Sequence, residues 1–272
     1  MKCNTKLTTM EKISRRTMLK MTGAAVAGAS MMGMGIDALA GEPAELGKTV
    51  RAKKKVMVIG AHPDDPESCA GGTILRMLDE GFDVMVVYMT HGERGIQGVS
   101  LEESARIRTA ECEEACKVMN VKHVYMTQID GASEINQDRY KEMQETIDKF
   151  HPDAVIVHWP IDSHRDHANC SLLVLDAWRR LGEYFDLFFH EAMTGLQSKT
   201  FAPTDWVDIT KYHDTKEKVM MCHKSQDPED WYPSYHVAME RFRALEMGTG
   251  VKYAEAFIRF NQNPTEKSIM EV

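Results

Sequence analysis

Lys55-Val56-Met57-Val58-Ile59-Gly60-Ala61-His62-Pro63-Asp64-Asp65-Pro66-Glu67 begins as an apolar run and ends in a burst of histidine and aspartate. Val56 to Ile59 shows no polar alternation, which suits a strand covered on both faces, the kind found in parallel sheets. A second such run, Ala154-Val155-Ile156-Val157-His158, leads into Trp159-Pro160-Ile161-Asp162-Ser163-His164-Arg165-Asp166-His167. Imidazole and carboxylate together are what a divalent metal such as zinc takes, and three such ligands leave a position open for water. Two buried strands that both end this way point to a metallohydrolase.

Working outward, strands and helices alternate. Gly71-Gly72 leads into a helix over 73–78 that Gly81 stops, and strand 83–90 follows. A polar loop over 91–100 precedes a long helix over 101–119. Strand 123–126, helix 135–150, strand 154–158, helix 169–181 and strand 184–190 continue the pattern. After Gly195 the pattern weakens to a strand over 206–209, helices over 215–222 and 237–246, and a strand over 254–260. The expected fold class is α/β: a Rossmann-like three-layer fold with a mostly parallel central sheet, in a single domain. In such sheets ligands sit beyond the carboxyl ends of strands, where both His/Asp bursts lie.

The first forty residues read as a targeting segment. Lys12, Arg15, Arg16 and Lys20 give a positive start, 21–36 is weakly apolar, and Ala38-Leu39-Ala40 is a small-x-small cleavage site. The run is too short and glycine-rich for a membrane span, so none is expected in the mature form. Ser14-Arg15-Arg16-Thr17-Met18-Leu19-Lys20 resembles the twin-arginine export signal, which implies the export machinery as the precursor's partner and a periplasmic or otherwise exported destination. Residues 41–54 read as a linker and 55–272 as the domain. Six basic and two acidic side chains in the first forty residues leave −12 on the remainder, against −8 for the whole chain. That balance argues against nucleic acid as a partner. The five cysteines beyond residue 40 are odd in number and lack close pairing motifs. They read mainly as small core residues, with a lone disulfide left open.

Within the first burst, an extended exit from the strand would turn Asp64 and Asp65 to opposite sides, with Pro63 fixing the turn. One carboxylate can then ligate while its neighbour takes a proton from metal-bound water. The plain alternative is a loop with an Asp-Pro turn. In the second burst, His164, Asp166 and His167 are too close in sequence to share one ion comfortably. One histidine on the metal, the other polarising a carbonyl, and Asp166 orienting an imidazole is the division of labour that fits.

These residues resemble the PIG-L/LmbE-like deacetylases, zinc enzymes that remove the acetyl group of N-acetylglucosamine-type amides. The family's A-H-P-D-D-x-E then G-G-T stands as Ala61 to Glu67 and Gly71-Gly72-Thr73, and its H-x-D-H as His164 to His167, with Arg165 where many relatives have Pro. Thr90 to Gly95 is similar to its T-x-G-E-x-G loop. Ala105 to Glu111 is similar to its A-x-x-R-x-x-E helix, with Arg106 or Arg108 as the arginine. His223-Lys224-Ser225-Gln226 and Ala254-Glu255-Ala256-Phe257 match its H-x-S-Q and A-E-A-F elements. The resemblance implies His62, Asp65 and His167 as zinc ligands, Asp64 as general base, and His164 as oxyanion stabiliser or proton donor oriented by Asp166. Arg106, Glu93 and Arg94 become candidates for substrate contacts. Ferrous iron also suits a two-histidine, one-carboxylate set. A related amidase or esterase on another acyl group, and a carbohydrate-binding protein without catalysis, are the rival readings. A nicotinamide enzyme fails, because the first strand leads to His-Pro-Asp-Asp and not to Gly-x-Gly-x-x-Gly. Residues 231–236 read as a loop that either stacks sugar or covers the core, and His91 as a residue that could approach the site.

Overall fold

A computed structural model describes residues 53–261 and 268–271. The signal segment expected over 1–40 and nearly all of the 41–54 linker lie outside the described residues. In chain order the elements are β1 (Lys55–Gly60), α1 (Asp65–Asp79), β2 (Asp83–Thr90), α2 (Leu101–Met119), β3 (Lys122–Gln128), α3 (Gln137–Phe150), β4 (Ala154–His158), α4 (Arg165–Arg180), β5 (Asp186–His190), β6 (Asp205–Asp208), α5 (His213–Met220), α6 (Pro228–Trp231), α7 (Ala238–Met247) and β7 (Ala254–Arg259). The seven strands form one sheet in the order β3-β2-β1-β4-β5-β7-β6. β1 to β5 run parallel, and β7 lies antiparallel between β5 and β6. This is the expected mixed α/β domain with a mostly parallel sheet.

Alternate residues of each strand feed opposite faces, so the unbroken apolar runs serve two cores. Val56, Val58, Val84, Val86 and Ile156 pack with Ile74, Met77, Cys112 and Met119 of α1 and α2. Met57, Ile59, Val87, Val155 and Val157 pack with Met143, Ile147, Leu173 and Val174 of α3 and α4. A fully buried aliphatic side chain is worth roughly 1.5–3 kcal/mol. Neither face is dispensable, which makes the helices on both sides integral to holding the strand ends in place. All five cysteines of the described region are free, four of them buried. Among the described residues no helix is long and apolar enough to cross a membrane.

The glycine pair of the first motif lies inside α1 and not ahead of it. A Cβ on Gly72 would stand 2.6 Å from Ile209, and one on Gly71 3.3 Å from the Lys216 stem. These glycines let α1 lie directly on the β6–α5 segment. Glu255 of β7 reaches the same place, accepting hydrogen bonds from the backbone of Gly72 (2.9 Å) and Thr73 (2.8 Å) and from the buried Lys216 (2.6 Å). Lys216 also pairs with Glu240 at 2.7 Å, so the buried ammonium is matched by two carboxylates. The carboxyl-terminal elements thus anchor the helix that follows the first His/Asp burst.

Candidate active site

The strand order reverses between β1 and β4, which neighbour each other while their successors diverge to opposite edges. A crevice opens at the carboxyl ends of strands at such a point. His62 leaves β1 there, and Asp162 to His167 follow β4. Asp130 follows β3 in the same way. A cavity of about 320 Å³ occupies the crevice, lined by His62, Asp64, Asp65, Arg108, Asp130, His164 and His167, with Arg94, Gln197, Gln226, Trp231 and His236 among its other walls.

The first burst does not leave β1 as an extended segment. Asp64 takes a left-handed conformation (φ 109°) as N-cap, and α1 starts at Asp65 with Pro66 in its first turn. The tight turn separates the two aspartates as alternation would have done. Asp65 points back into the ligand cluster and Asp64 lines the cavity. Gly60 permits the turn, because a Cβ there would stand 2.5 Å from Pro66 and 2.8 Å from the Asp65 Cβ.

Asp65 is central to the cluster. Its Oδ2 accepts the His62 backbone N–H at 2.7 Å and lies 3.3 Å from His62 Nδ1, and its Oδ1 lies 3.4 Å from His167 Nε2. Burial favours the neutral acid, but the adjoining His167 and His158 outweigh it and hold Asp65 well below the usual carboxylate range. His62 Nε2, the far side of that ring, meets Asp166 Oδ2 and Asp130 Oδ1, each at 3.2 Å. His167 Nδ1 stands 3.4 Å from Asp162 Oδ1, an ion-pair distance without hydrogen-bond alignment. Each of the three expected ligands is therefore held from behind by another group, the arrangement that fixes ring orientation at metal sites.

Asp166 does not orient His164 with its carboxylate. That carboxylate accepts from Gly131 N (2.6 Å) and Ser133 Oγ (2.5 Å) besides meeting His62. The link to His164 runs through the backbone: Asp166 N–H donates to His164 Nδ1 at 3.3 Å, and His164 caps α4. A neutral His164 consequently carries its proton on Nε2. Burial lowers its pKa, with the charges of His62 and His167 adding to the effect, which keeps the ring neutral. The cap leaves the cavity-lining imidazole an Nε2–H with which to donate.

Asp64 Oδ2 accepts from Arg108 Nη2 at 2.9 Å. Burial raises the Asp64 carboxyl and the guanidinium opposes the rise, leaving it at about 6. Arg108 is the arginine of the R-x-x-E pair that enters the site. Arg106, expected as a substrate contact, is largely exposed and bound to Glu103 at 2.6 and 2.8 Å. One helical residue apart corresponds to about 100° of rotation, and two carry Arg106 to the solvent side of α2. Glu93 is likewise structural, because its carboxylate is buried and accepts from the backbone N–H groups of Asp130 (3.0 Å) and His91 (3.3 Å). Arg94 does line the cavity. Gly95 is needed because a Cβ would stand 2.3 Å from Arg108 Nη1. Glu111 accepts from Ser225 N and Oγ, both at 2.7 Å, so the R-x-x-E helix grips the H-x-S-Q turn and sets Gln226 at the cavity.

Several site residues were not foreseen. Asp130 obeys the same strand-end rule as His62 and could have been found by it. Asp162 and His158 lie within the quoted second run but carried no assigned role. Residues 231–236 form no loop: Trp231 ends α6, and Tyr232–Val237 is a π-helical turn, a feature common near functional sites. The turn brings Trp231 and His236 to the cavity wall. His91 stays outside, stacked on Tyr125 at 4.7 Å.

Three donor groups are compact enough to share an ion: His62, His164 and His167; Asp65, His158 and His167; and His62, Asp130 and Asp166. Five carboxylates (Asp64, Asp65, Asp130, Asp162 and Asp166) gather here against Arg108 and the imidazoles of His62 and His167, an anionic excess that a divalent cation would relieve. The residues present fit a metal. Fold and site thus define an α/β protein with a buried imidazole and carboxylate cluster that could bind a metal ion.

The family model described as PIG-L: GlcNAc-PI de-N-acetylase matches residues 57–178. The diacetylchitobiose deacetylase of Thermococcus kodakarensis is 31% identical over 224 residues, 76% of this chain and 83% of that protein. The probable N-acetyl-alpha-D-glucosaminyl L-malate deacetylase 2 of Bacillus cereus is 26% identical over 64% of this chain and 84% of its own length. The solved structure of N,N'-diacetylchitobiose deacetylase from Pyrococcus horikoshii superposes with a TM-score of 0.67 at 27% identity, covering 77% of this chain and 84% of that one. The chain belongs to the PIG-L family.

Proposed function

We propose that the protein is a zinc-dependent hydrolase that removes an N-acetyl group from an N-acetylglucosamine-type sugar or glycoconjugate. The observation that carries this reading is the division within the crevice. His62, Asp65 and His167 are each held from behind, whereas Asp64 and His164 face the cavity with a proton acceptor and a proton donor. His62, Asp65 and His167 would hold the ion. When bound, zinc supplies Lewis acidity and a hydroxide-like nucleophile near neutral pH.

Asp64 would take the proton of the attacking water, with Arg108 fixing the carboxylate's direction. His164 Nε2–H would donate a hydrogen bond to the oxygen of the acetyl carbonyl as charge develops there, and the proton that Asp64 takes from the water would pass to the departing nitrogen. Its bound Nδ1 prevents the ring from turning away. Arg94, Gln226 and Trp231 would contact the sugar. A mostly polar wall with one indole suits a carbohydrate, whose hydroxyls need partners and whose ring face packs on an aromatic. The deacetylase names of the relatives support an amide of an acetylated amino sugar over another acyl group.

The test is an acetate-release screen of the purified chain against N-acetylglucosamine, diacetylchitobiose and larger N-acetylated glycans. We expect release from at least one, its loss on chelation and its return with added zinc. Acetate release that survives exhaustive chelation would sink the metal-dependent reading. We further propose that the chain is exported through the twin-arginine route, on the strength of Ser14 to Lys20. Replacing Arg15-Arg16 with Lys-Lys should leave precursor inside the cell, and undiminished export of that variant would refute the route.

A further inference from the structure

His158, the last residue of β4, is buried beside the cluster and carries no role in the reading above. Its Nε2 lies 3.1 Å from Asp65 Oδ2. It could be read as another ligand, since Asp65, His158 and His167 come close enough to share an ion. The ring geometry argues against that. The His158 and His167 rings are stacked, with centroids 3.9 Å apart and planes within 11° of parallel. An imidazole lone pair lies in its ring plane, and two stacked parallel planes cannot both contain one ion.

We propose that His158 is a positioning residue that donates Nε2–H to Asp65 and so sets the direction in which Asp65 offers its other lone pairs to the metal. This inference rests on the reading of Asp65 as a metal ligand. The ring is trapped for the purpose, with His167 on one face and His190 against it at 4.5 Å. Its Nδ1 is buried without a hydrogen-bond partner, so Nε2 is the nitrogen that works. The Ala61 backbone N–H is aimed as a donor at the same Nε2 (N to Nε2 3.1 Å), and one nitrogen cannot both accept that bond and donate to Asp65. A bond to a carboxylate is worth about 1.5–3 kcal/mol against about 0.5–1.5 for a neutral one, which places the proton on Nε2 and directs it to Asp65. The same choice avoids setting a bare nitrogen lone pair against a carboxylate oxygen.

Two variants of the full chain separate positioning from packing. His158→Phe keeps a flat ring in the stack and removes the donor. His158→Gln has an amide N–H at nearly the reach of Nε2. Zinc affinity is measured directly, by competition of the metal-stripped protein with a chelator of known affinity, and thermal unfolding reports the fold. Losing an outer partner of a metal ligand costs roughly 10–100-fold in affinity, and we expect that loss in His158→Phe, with His158→Gln within about threefold of the parent. A folded His158→Phe that binds zinc as tightly as the parent overturns the proposal. So does a folded His158→Gln as weak as the Phe variant. Should His158→Phe not fold, the Gln variant decides alone, and failure of both to fold assigns His158 to packing. A parent chain that binds no zinc overturns the ligand reading itself, and this inference with it.

Discussion

Asp64→Asn is expected to lower kcat/KM for deacetylation by about 10²–10⁴-fold, the usual contribution of a general base, while the bound metal stays at about one per chain. At 1.36 kcal/mol per decade this corresponds to about 3–5 kcal/mol of transition-state stabilisation. The substitution is nearly isosteric and removes the group's capacity to take a proton. It suits the backbone, because Asp64 occupies the left-handed region at φ 109° and Asn is among the side chains that tolerate positive φ. The amide oxygen can still accept from Arg108, which holds the present carboxylate at 2.9 Å, so the side chain should keep its direction. Asp64 belongs to none of the donor groups compact enough to share an ion, and so the ion should remain. Acetate release under single-turnover conditions gives the chemical step, and elemental analysis gives the metal. Turnover within threefold of the parent would remove Asp64 from the base's role.

The fold was legible because its main signal is simple. Uninterrupted apolar runs such as Val56 to Ile59 and Ala154 to Val157 must be covered on both faces, and helical patterns between them leave a parallel sheet as the consistent arrangement. The strand-end rule then located the site, and the two His/Asp bursts do meet across β1 and β4. Finer detail depended on geometry that local pattern does not carry. Nothing in Ala105 to Glu111 states which arginine faces inward; the phase of α2 against the sheet decides for Arg108. The Asp166 carboxylate is drawn to His62 because the Gly131 and Ser133 donors lie on that side, contributed by a loop more than thirty residues away in sequence. The Gly71-Gly72 pair reads locally as a helix breaker. It sits within α1 because Ile209 and Lys216 leave no room for a larger residue, a tertiary demand that overrides helix propensity. Long-range packing is the common cause in all three cases.

His167→Ala should separate ion binding from proton transfer in the opposite sense to Asp64→Asn. His167 lies in the first turn of α4, almost fully buried, with Nε2 toward Asp65 Oδ1 at 3.4 Å and Nδ1 toward Asp162 at 3.4 Å. Removing the imidazole leaves the Asp65 and Asp162 carboxylates facing a small void, and it takes one proposed donor from a set of three. Loss of an outer partner alone costs roughly 10–100-fold in metal affinity, so loss of a ligand is expected to exceed about 100-fold. The variant should be isolated with substoichiometric metal and with acetate release at background. Chelated parent protein should match it in activity and recover with added zinc, whereas the variant should not recover at the same zinc concentration. Truncating a buried side chain removes packing as well as a ligand. The His167→Gln variant addresses this by filling most of the space with a poor metal ligand, and it should behave like His167→Ala in metal content while unfolding closer to the parent temperature. Stoichiometric, tightly held metal in either variant would break the assignment and shift it toward the other compact donor group, His62 with Asp130 and Asp166.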